Sequence, residues 1–236
     1  MSGSSKGTYK LISPYLSQYR RVRLLPKFPI RTSVLCLFTG ALAVTSFFHS
    51  PKTTLAADIA APAYTKSGDL IPPANYRDWT YLTTGIDMSY TPKAPGMQDH
   101  STFDNLFVNP AAYQSFLDTG TWPDKTVMVL EARDARSKGS INQSGHFQSG
   151  GVMDLEFHVK DEARFPGKWA FFSGDPATGT GRLIPQTADC YTCHAAHAAV
   201  DTTFVQFYPT LLPIAQKKGT LSAEFLKDEA AAAVSK

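Results

Sequence analysis

The pentapeptide Cys190-Tyr191-Thr192-Cys193-His194 constrains this chain more than any other stretch. Two sulfurs three residues apart fall on one side of a helical turn, and an imidazole follows the second directly. This is the attachment signature of a c-type haem. The thiols form thioethers with the two vinyl groups on one edge of the macrocycle. The next residue turns back under the ring, so its nitrogen binds iron from the proximal side. Three other chemistries use the same residue types. A redox dithiol needs a strand leading into a βα unit, and Gln186-Thr187-Ala188-Asp189 supplies no strand. A zinc site built on both cysteines, His194 and His197 departs from the usual pattern, in which the second ligand pair comes from further along the chain; no further cysteine follows. A disulfide closing so short a loop is strained. One covalently attached haem is the best fit, with Cys190 and Cys193 holding it and His194 as axial iron ligand.

That cofactor makes a demand on compartment, because bacteria attach haem to such motifs outside the cytoplasm. Residues 1–56 carry eight Lys or Arg and no Asp or Glu, and within them the apolar run Ser33 to Val44 follows the basic part. The run is short for a membrane span. A basic lead, a short apolar core and small residues read as a secretory signal peptide, and hence as periplasmic location. Cleavage near Ala56-Ala57 or Ala61 fits, and the small-residue pattern does not fix it. An uncleaved N-terminal anchor is the alternative. Arg20-Arg21 fits a twin-arginine motif only loosely. Removing 1–56 leaves 15 basic against 20 acidic residues, a net charge near −5, so there is no basic footprint for nucleic acid. Cys36 leaves with the signal, and the mature chain keeps only the two motif cysteines. The remainder suits one domain.

Residues 57–73 read as an extended lead, 74–217 as the haem domain and 218–236 as a peripheral C-terminal helix and tail. Within the domain, Asn75 to Trp79 reads as a short helix. Thr80–Met88, Phe103–Val108, Thr126–Ala132, Val152–Lys160, Lys168–Ser173 and Thr202–Tyr208 read as strands from their β-branched and aromatic content. Asn109-Pro110 starts a helix, asparagine as N-cap and proline at N1, and Gly120 ends it. Alternation puts Thr126, Met128 and Leu130 on one face of their strand, and Val127, Val129 and Glu131 on the other. Asp154, Glu156 and His158 share a face of the next strand. Thr91–Ser101 and Arg133–Gly151 read as loops, the second long and mobile. A helix from about Ala188 carries the haem motif, and helices cover Pro209–Lys217 and Leu221–Ala233. Strands without regular βαβ alternation give an α+β class: a mainly antiparallel sheet with short helices, the covalent haem carried near the C-terminal end.

Several stretches together carry a resemblance: Asn75 to Trp79, Val108 to Tyr113, Thr119 to Val127, Val159-Lys160-Asp161, Trp169-Ala170-Phe171, the haem motif, and Asp201 to Pro209. The sequence resembles the cytochrome P-460 family and its relatives, the cytochromes c′-β, over almost the whole mature region. The resemblance implies an antiparallel-sheet homodimer whose covalent haem has a histidine proximal ligand and an open or weakly held sixth position. Hydroxylamine-oxidising members have, on the strand matching Thr126–Ala132, a lysine cross-linked to the haem. Leu130 stands at that position, and no lysine follows Lys125 on the strand. The cross-link is therefore expected to be absent. The distal acid of those members corresponds to Glu156, a proton relay if buried and a solvent-facing glutamate otherwise.

Other residues compete for roles. Met128 shares Leu130's face, as a sixth ligand or, more simply, as core. His197 cannot reach the opposite side of the same iron and is expected at a propionate or in solvent. His158 shares the Glu156 face, so approach to the pocket is one reading, and exposure is the one preferred. His146 sits in the loop, with distal access as its alternative role. Phe103 and Phe147 correspond to pocket-capping aromatics or to ordinary core. The resemblance thus implies redox chemistry of small nitrogen species, hydroxylamine or nitric oxide, with a periplasmic electron-transfer partner. A nitric-oxide-binding protein and a plain electron carrier are the alternatives.

Overall fold

The computed structural model describes residues 61–90, 101–175 and 177–234. The signal peptide, its cleavage site, Cys36 and most of the Thr91–Ser101 loop lie outside the described residues. Among the described residues, eight strands form one antiparallel sheet: β1 (Ala63–Tyr64), β2 (Leu70–Ile71), β3 (Thr80–Ile86), β4 (Thr102–Val108), β5 (Val127–Arg136), β6 (Phe147–Lys160), β7 (Trp169–Asp175) and β8 (Thr180–Leu183). The helices are α1 (Pro110–Thr119), α2 (Asp189–His197), α3 (Leu212–Lys218) and α4 (Ala223–Val234), with 3-10 turns at Tyr76–Asp78 and Val205–Phe207. Strand order is β1-β2-β8-β7-β6-β5-β4-β3, so from β3 to β8 each strand pairs with its neighbours in the chain. Short connections permit this because antiparallel pairs need no crossover. The expected antiparallel α+β architecture is what the chain adopts.

Both faces of the sheet are buried, and alternation assigns residues between them. One face presents Leu82, Leu106, Val108, Met128, Trp169 and Phe171 to α1, α3 and the segment after α2, which contribute Phe116, Val200, Val205, Leu211 and Ala215. The other presents Val127, Val129, Phe157, Val159, Ala170 and Phe172. Tyr64, Leu70, Tyr76 and Trp79, from β1, β2 and the first 3-10 turn, close over it. The split of β5 into a Met128/Leu130 face and a Val127/Val129/Glu131 face is as the sequence alternation predicts.

Four readings are corrected or extended. The lead segment contributes β1 and β2, and the Gly/Thr-rich stretch before the haem motif contributes β8. These strands are too short for a period-2 signal. Gly181 sits where β8 closely meets β2: a Cβ there would lie 3.2 Å from the Cβ atoms of both Leu70 and Phe172. Nearly half of the long connection Arg133–Gly151 is strand, with 137–146 left between β5 and β6. Its polar side chains find partners: Gln148 with Asn105 of β4 at 2.9 Å, and Ser149 with Asp134 at 3.3 Å. Two register shifts absorb the irregular length.

Thr202–Tyr208 is not a strand. Asp201 and Thr202 both have left-handed backbone, φ 54° and 58°, and Val205–Phe207 is a 3-10 turn. The bulky residues that suggested a strand serve the core instead, with Thr203, Phe204, Val205 and Tyr208 all buried. Finally, Asn109 stands at the N-cap position of α1, but its side chain does not cap the helix. Its Oδ1 accepts from the Val127 amide at 2.9 Å, so it ties the helix start to β5.

Candidate functional site

Helix α2 is held against the sheet by one residue between the two cysteines. The Tyr191 ring stacks on Phe171 at 4.3 Å. Its hydroxyl accepts from the Phe171 amide at 2.9 Å and donates to the Ile184 carbonyl at 3.2 Å. This fixes the first turn of α2 on β7 and on the chain just after β8. Cys190 and Cys193 are free and half-buried. Burial raises the Cys190 thiol pKa, and the charges of Glu156 and Asp189 add to that rise against its backbone hydrogen bonds.

The His194 ring lies 4.2 Å from Phe204 and 4.7 Å from Phe171, centroid to centroid. Its Nδ1 is 2.8 Å from the Thr202 carbonyl oxygen. A carbonyl only accepts, so Nδ1 carries the proton and Nε2 keeps its lone pair. Burial lowers the pKa of the ring, partly opposed by the Thr202 carbonyl, so the imidazole is neutral. The acceptor comes from the two-residue left-handed turn. Such backbone costs on the order of 1–3 kcal/mol per residue and persists only where its surroundings impose it.

On the sheet face beneath, register sets the neighbours. Leu130 is the cross-strand partner of Glu156, Met128 of His158, and His158 of Phe171. Leu130, Cys190 and Tyr191 all pack on the same core cluster. The structure therefore brings the β5–β6 pair named from sequence to the same face as the motif helix. Glu156 is exposed along its length, yet its carboxyl is raised above the usual range, by burial first and then by Asp154 and Asp104.

His158 is not exposed as expected. It is half-buried, with its ring 4.2 Å from Phe171 and 4.9 Å edge-on from His194. Burial, then His194, lowers its pKa to about 3, so it too is neutral. It does not serve as a second axial ligand opposite His194. Each metal–nitrogen bond takes about 2 Å, and two rings this close in a T arrangement leave no room for a metal between their nitrogens. Met128 is 1% exposed and packed in the core. His197 Nδ1 meets Asp228 of α4 at 2.5 Å. His146 is exposed in the 137–146 connection. Phe103 neighbours Asp104 and so lies on the face of β4 opposite Leu106, away from α2; it does not cap this site. Phe147 is 39% exposed and lies against Gly139, where a Cβ would meet its ring at 2.8 Å. The Lys125 ammonium is engaged by Asp161.

Sequence reading missed Lys160. Its advance signals were alternation, which places it on the face of Glu156 and His158, and its place in the Val159-Lys160-Asp161 stretch of the family resemblance. It is 5% exposed, with Nζ 2.6 Å from the Trp122 carbonyl and 2.7 Å from Asp201 Oδ2.

An antiparallel sheet carrying a Cys-x-x-Cys-His helix on one face defines a β-sheet type of cytochrome, distinct from the small helical bundles. The chain belongs to the cytochrome P460 family, whose model matches residues 73–205. No curated protein matches the chain. Membership implies a haem cofactor, and the residues present fit one. Both thiols are free, and one imidazole nitrogen keeps its lone pair.

Proposed function

We propose that the protein carries one haem c, held by thioethers to Cys190 and Cys193 with His194 Nε2 on the iron, and that it is a periplasmic redox protein of small nitrogen species. The observation that carries this reading is the Nδ1–Thr202 hydrogen bond. It fixes the tautomer an axial ligand needs, and metal-binding histidines characteristically donate their second nitrogen in this way. The bound haem would supply one-electron chemistry and an iron that binds small ligands.

This chain's own contribution lies on β5 and β6. Leu130 stands where the hydroxylamine-oxidising relatives have a cross-linking lysine, so the haem is held by its thioethers alone. Leu130 makes the adjoining surface apolar. Apolar surroundings disfavour charged ligands and favour neutral diatomics such as nitric oxide. Nitric oxide binding without turnover is the second reading, and Leu130 is the residue that favours it. Glu156, with its raised pKa, is the group to give or take a proton beside the ligand. Electrons leave to a periplasmic partner, and the homodimer implied by the resemblance is part of this proposal.

The test is a haem stain and visible spectra of the purified full-length protein. Wild type should retain haem through denaturation and shift its spectrum on adding nitric oxide. Cys193→Ala should leave at most one thioether, and a variant that holds haem through both bonds as before would falsify the attachment. A low-spin, methionine-ligated spectrum would sink both ligand-binding readings.

A further inference from the structure

Lys160, which is buried, pairs with the part-exposed Asp201, and neither the haem attachment nor the ligand side uses this pair. The pair is asymmetric: the lysine side chain is 7% exposed and the aspartate 34%. A lysine is rarely buried this deeply without a purpose-built set of acceptors. Here the Trp122 carbonyl and Asp201 supply them, with the Glu162 carboxylate further off at 3.9 Å. The Trp169 ring stands 5.9 Å from the ammonium. Trp122 reaches the same turn a second time, its indole N–H donating to Thr203 Oγ1 at 2.8 Å. The turn is thus gripped at Asp201 and at Thr203, on either side of Thr202.

Thr202 is, with Asp201, a central residue of a tight turn closed by the Thr203 amide donating to the Val200 carbonyl at 2.8 Å and the Val200 amide to the Thr203 carbonyl at 3.3 Å, which sets the left-handed backbone but not the choice of a threonine for it. It is β-branched at φ 58°, where such residues are outliers. Its hydroxyl is buried and finds no partner. What the conformation achieves is to aim the Thr202 carbonyl at His194 Nδ1. From a tight left-handed turn, a buried lysine gripping it through Asp201 and a single productive hydrogen bond, we infer that Lys160 is a positioning residue: through Asp201 it holds the Thr202 carbonyl on His194 and so sets how strongly His194 donates to iron. This rests on His194 being the axial ligand. A stronger Nδ1–H···O bond gives the ring more imidazolate character, raises ligand basicity and favours oxidised iron.

Two variants of the full-length haem-loaded protein, Lys160→Met and Asp201→Asn, separate this role from a simple field effect. Asparagine tolerates the left-handed backbone, so the turn at 201 keeps its residue type's freedom. If the pair is a clamp, both variants lower the iron–histidine stretching frequency of the reduced protein. Both also raise the reduced-to-oxidised ratio at fixed potential, by up to about tenfold, or about 59 mV for one electron. If the pair acts only through its charges, the potentials move in opposite directions, down for Lys160→Met and up for Asp201→Asn, and the stretch stays put; that result overturns the inference. Should Lys160→Met fail to accumulate, the stretch in Asp201→Asn decides alone. The His194→Ala protein distinguishes the two levels. If wild type shows no iron–histidine band that His194→Ala abolishes, the axial assignment has failed; if the band is present and the clamp variants leave it unmoved, only the clamp has.

Discussion

Glu131 is 3% exposed and accepts hydrogen bonds from Tyr76, from Arg77 at 2.6 and 2.9 Å, and from Arg133. Burial pushes its pKa up, but the bonds from Arg133, Tyr76 and Arg77, with the Arg133 charge, outweigh it and hold the carboxyl below its ordinary value of 4.5. A depressed folded pKa contributes stability that is present above the ordinary value and lost as pH falls through the lowered one. Urea midpoints measured downward from pH 6 should therefore fall more steeply for wild type than for Glu131→Gln. Parallel curves would remove Glu131 from the acid limb. Glu131→Ala should cost about 3 kcal/mol at neutral pH, since it strands the half-buried Arg133 without its carboxylate. Alternation along β5 was enough to put Glu131 opposite Leu130. Its partners were not legible, because Tyr76 and Arg77 arrive from a 3-10 turn over fifty residues earlier. His158 shows the same limit. Its face followed from the strand, but its burial depended on α2 folding back over that face.

At the scale of elements, α1 was legible from its ends. Gly120 takes φ 78° and closes the helix by donating to the Phe116 carbonyl at 2.7 Å. The glycine is also a contact point. A Cβ there would lie 2.7 Å from Lys218 Cβ and 2.9 Å from Thr220 Oγ1, where the end of α3 crosses. Gly120→Ala should therefore lose more than about 1 kcal/mol, the left-handed backbone and the clash adding. An unchanged thermal midpoint would show that the α1–α3 approach relaxes freely. The element misread outright was 202–208. Its composition is that of a strand, and β propensity reports fit to a half-buried surface rather than a backbone preference. Here that surface is met by single residues from a turn. Clamping of the turn by Trp122 and Lys160 is long-range and leaves no mark in a local window.

Over the whole molecule, the net charge separates the two ends of the chain. With residues 1–56 removed, the remainder is near −5, against +3 for the full sequence. Mass spectrometry of protein recovered from the periplasm of an expressing bacterium should give a chain beginning between Ala56 and Ala61 plus one haem. It should be retained by an anion exchanger at pH 7. A haem-loaded chain that keeps Met1 in the membrane fraction would establish the anchor reading instead. The sequence by itself determined the antiparallel class and the assignment of β5 and β6 residues to faces, and it pointed to a haem cofactor, because each is written in spacing: a step of three from thiol to thiol, a step of two between residues on a face. Tertiary structure alone decided that Tyr191 docks α2, that His158 is enclosed, and that Lys160 and Asp201 meet across forty residues to grip the turn beside His194. Those contacts join segments with no common period, so only the folded sheet brings them together.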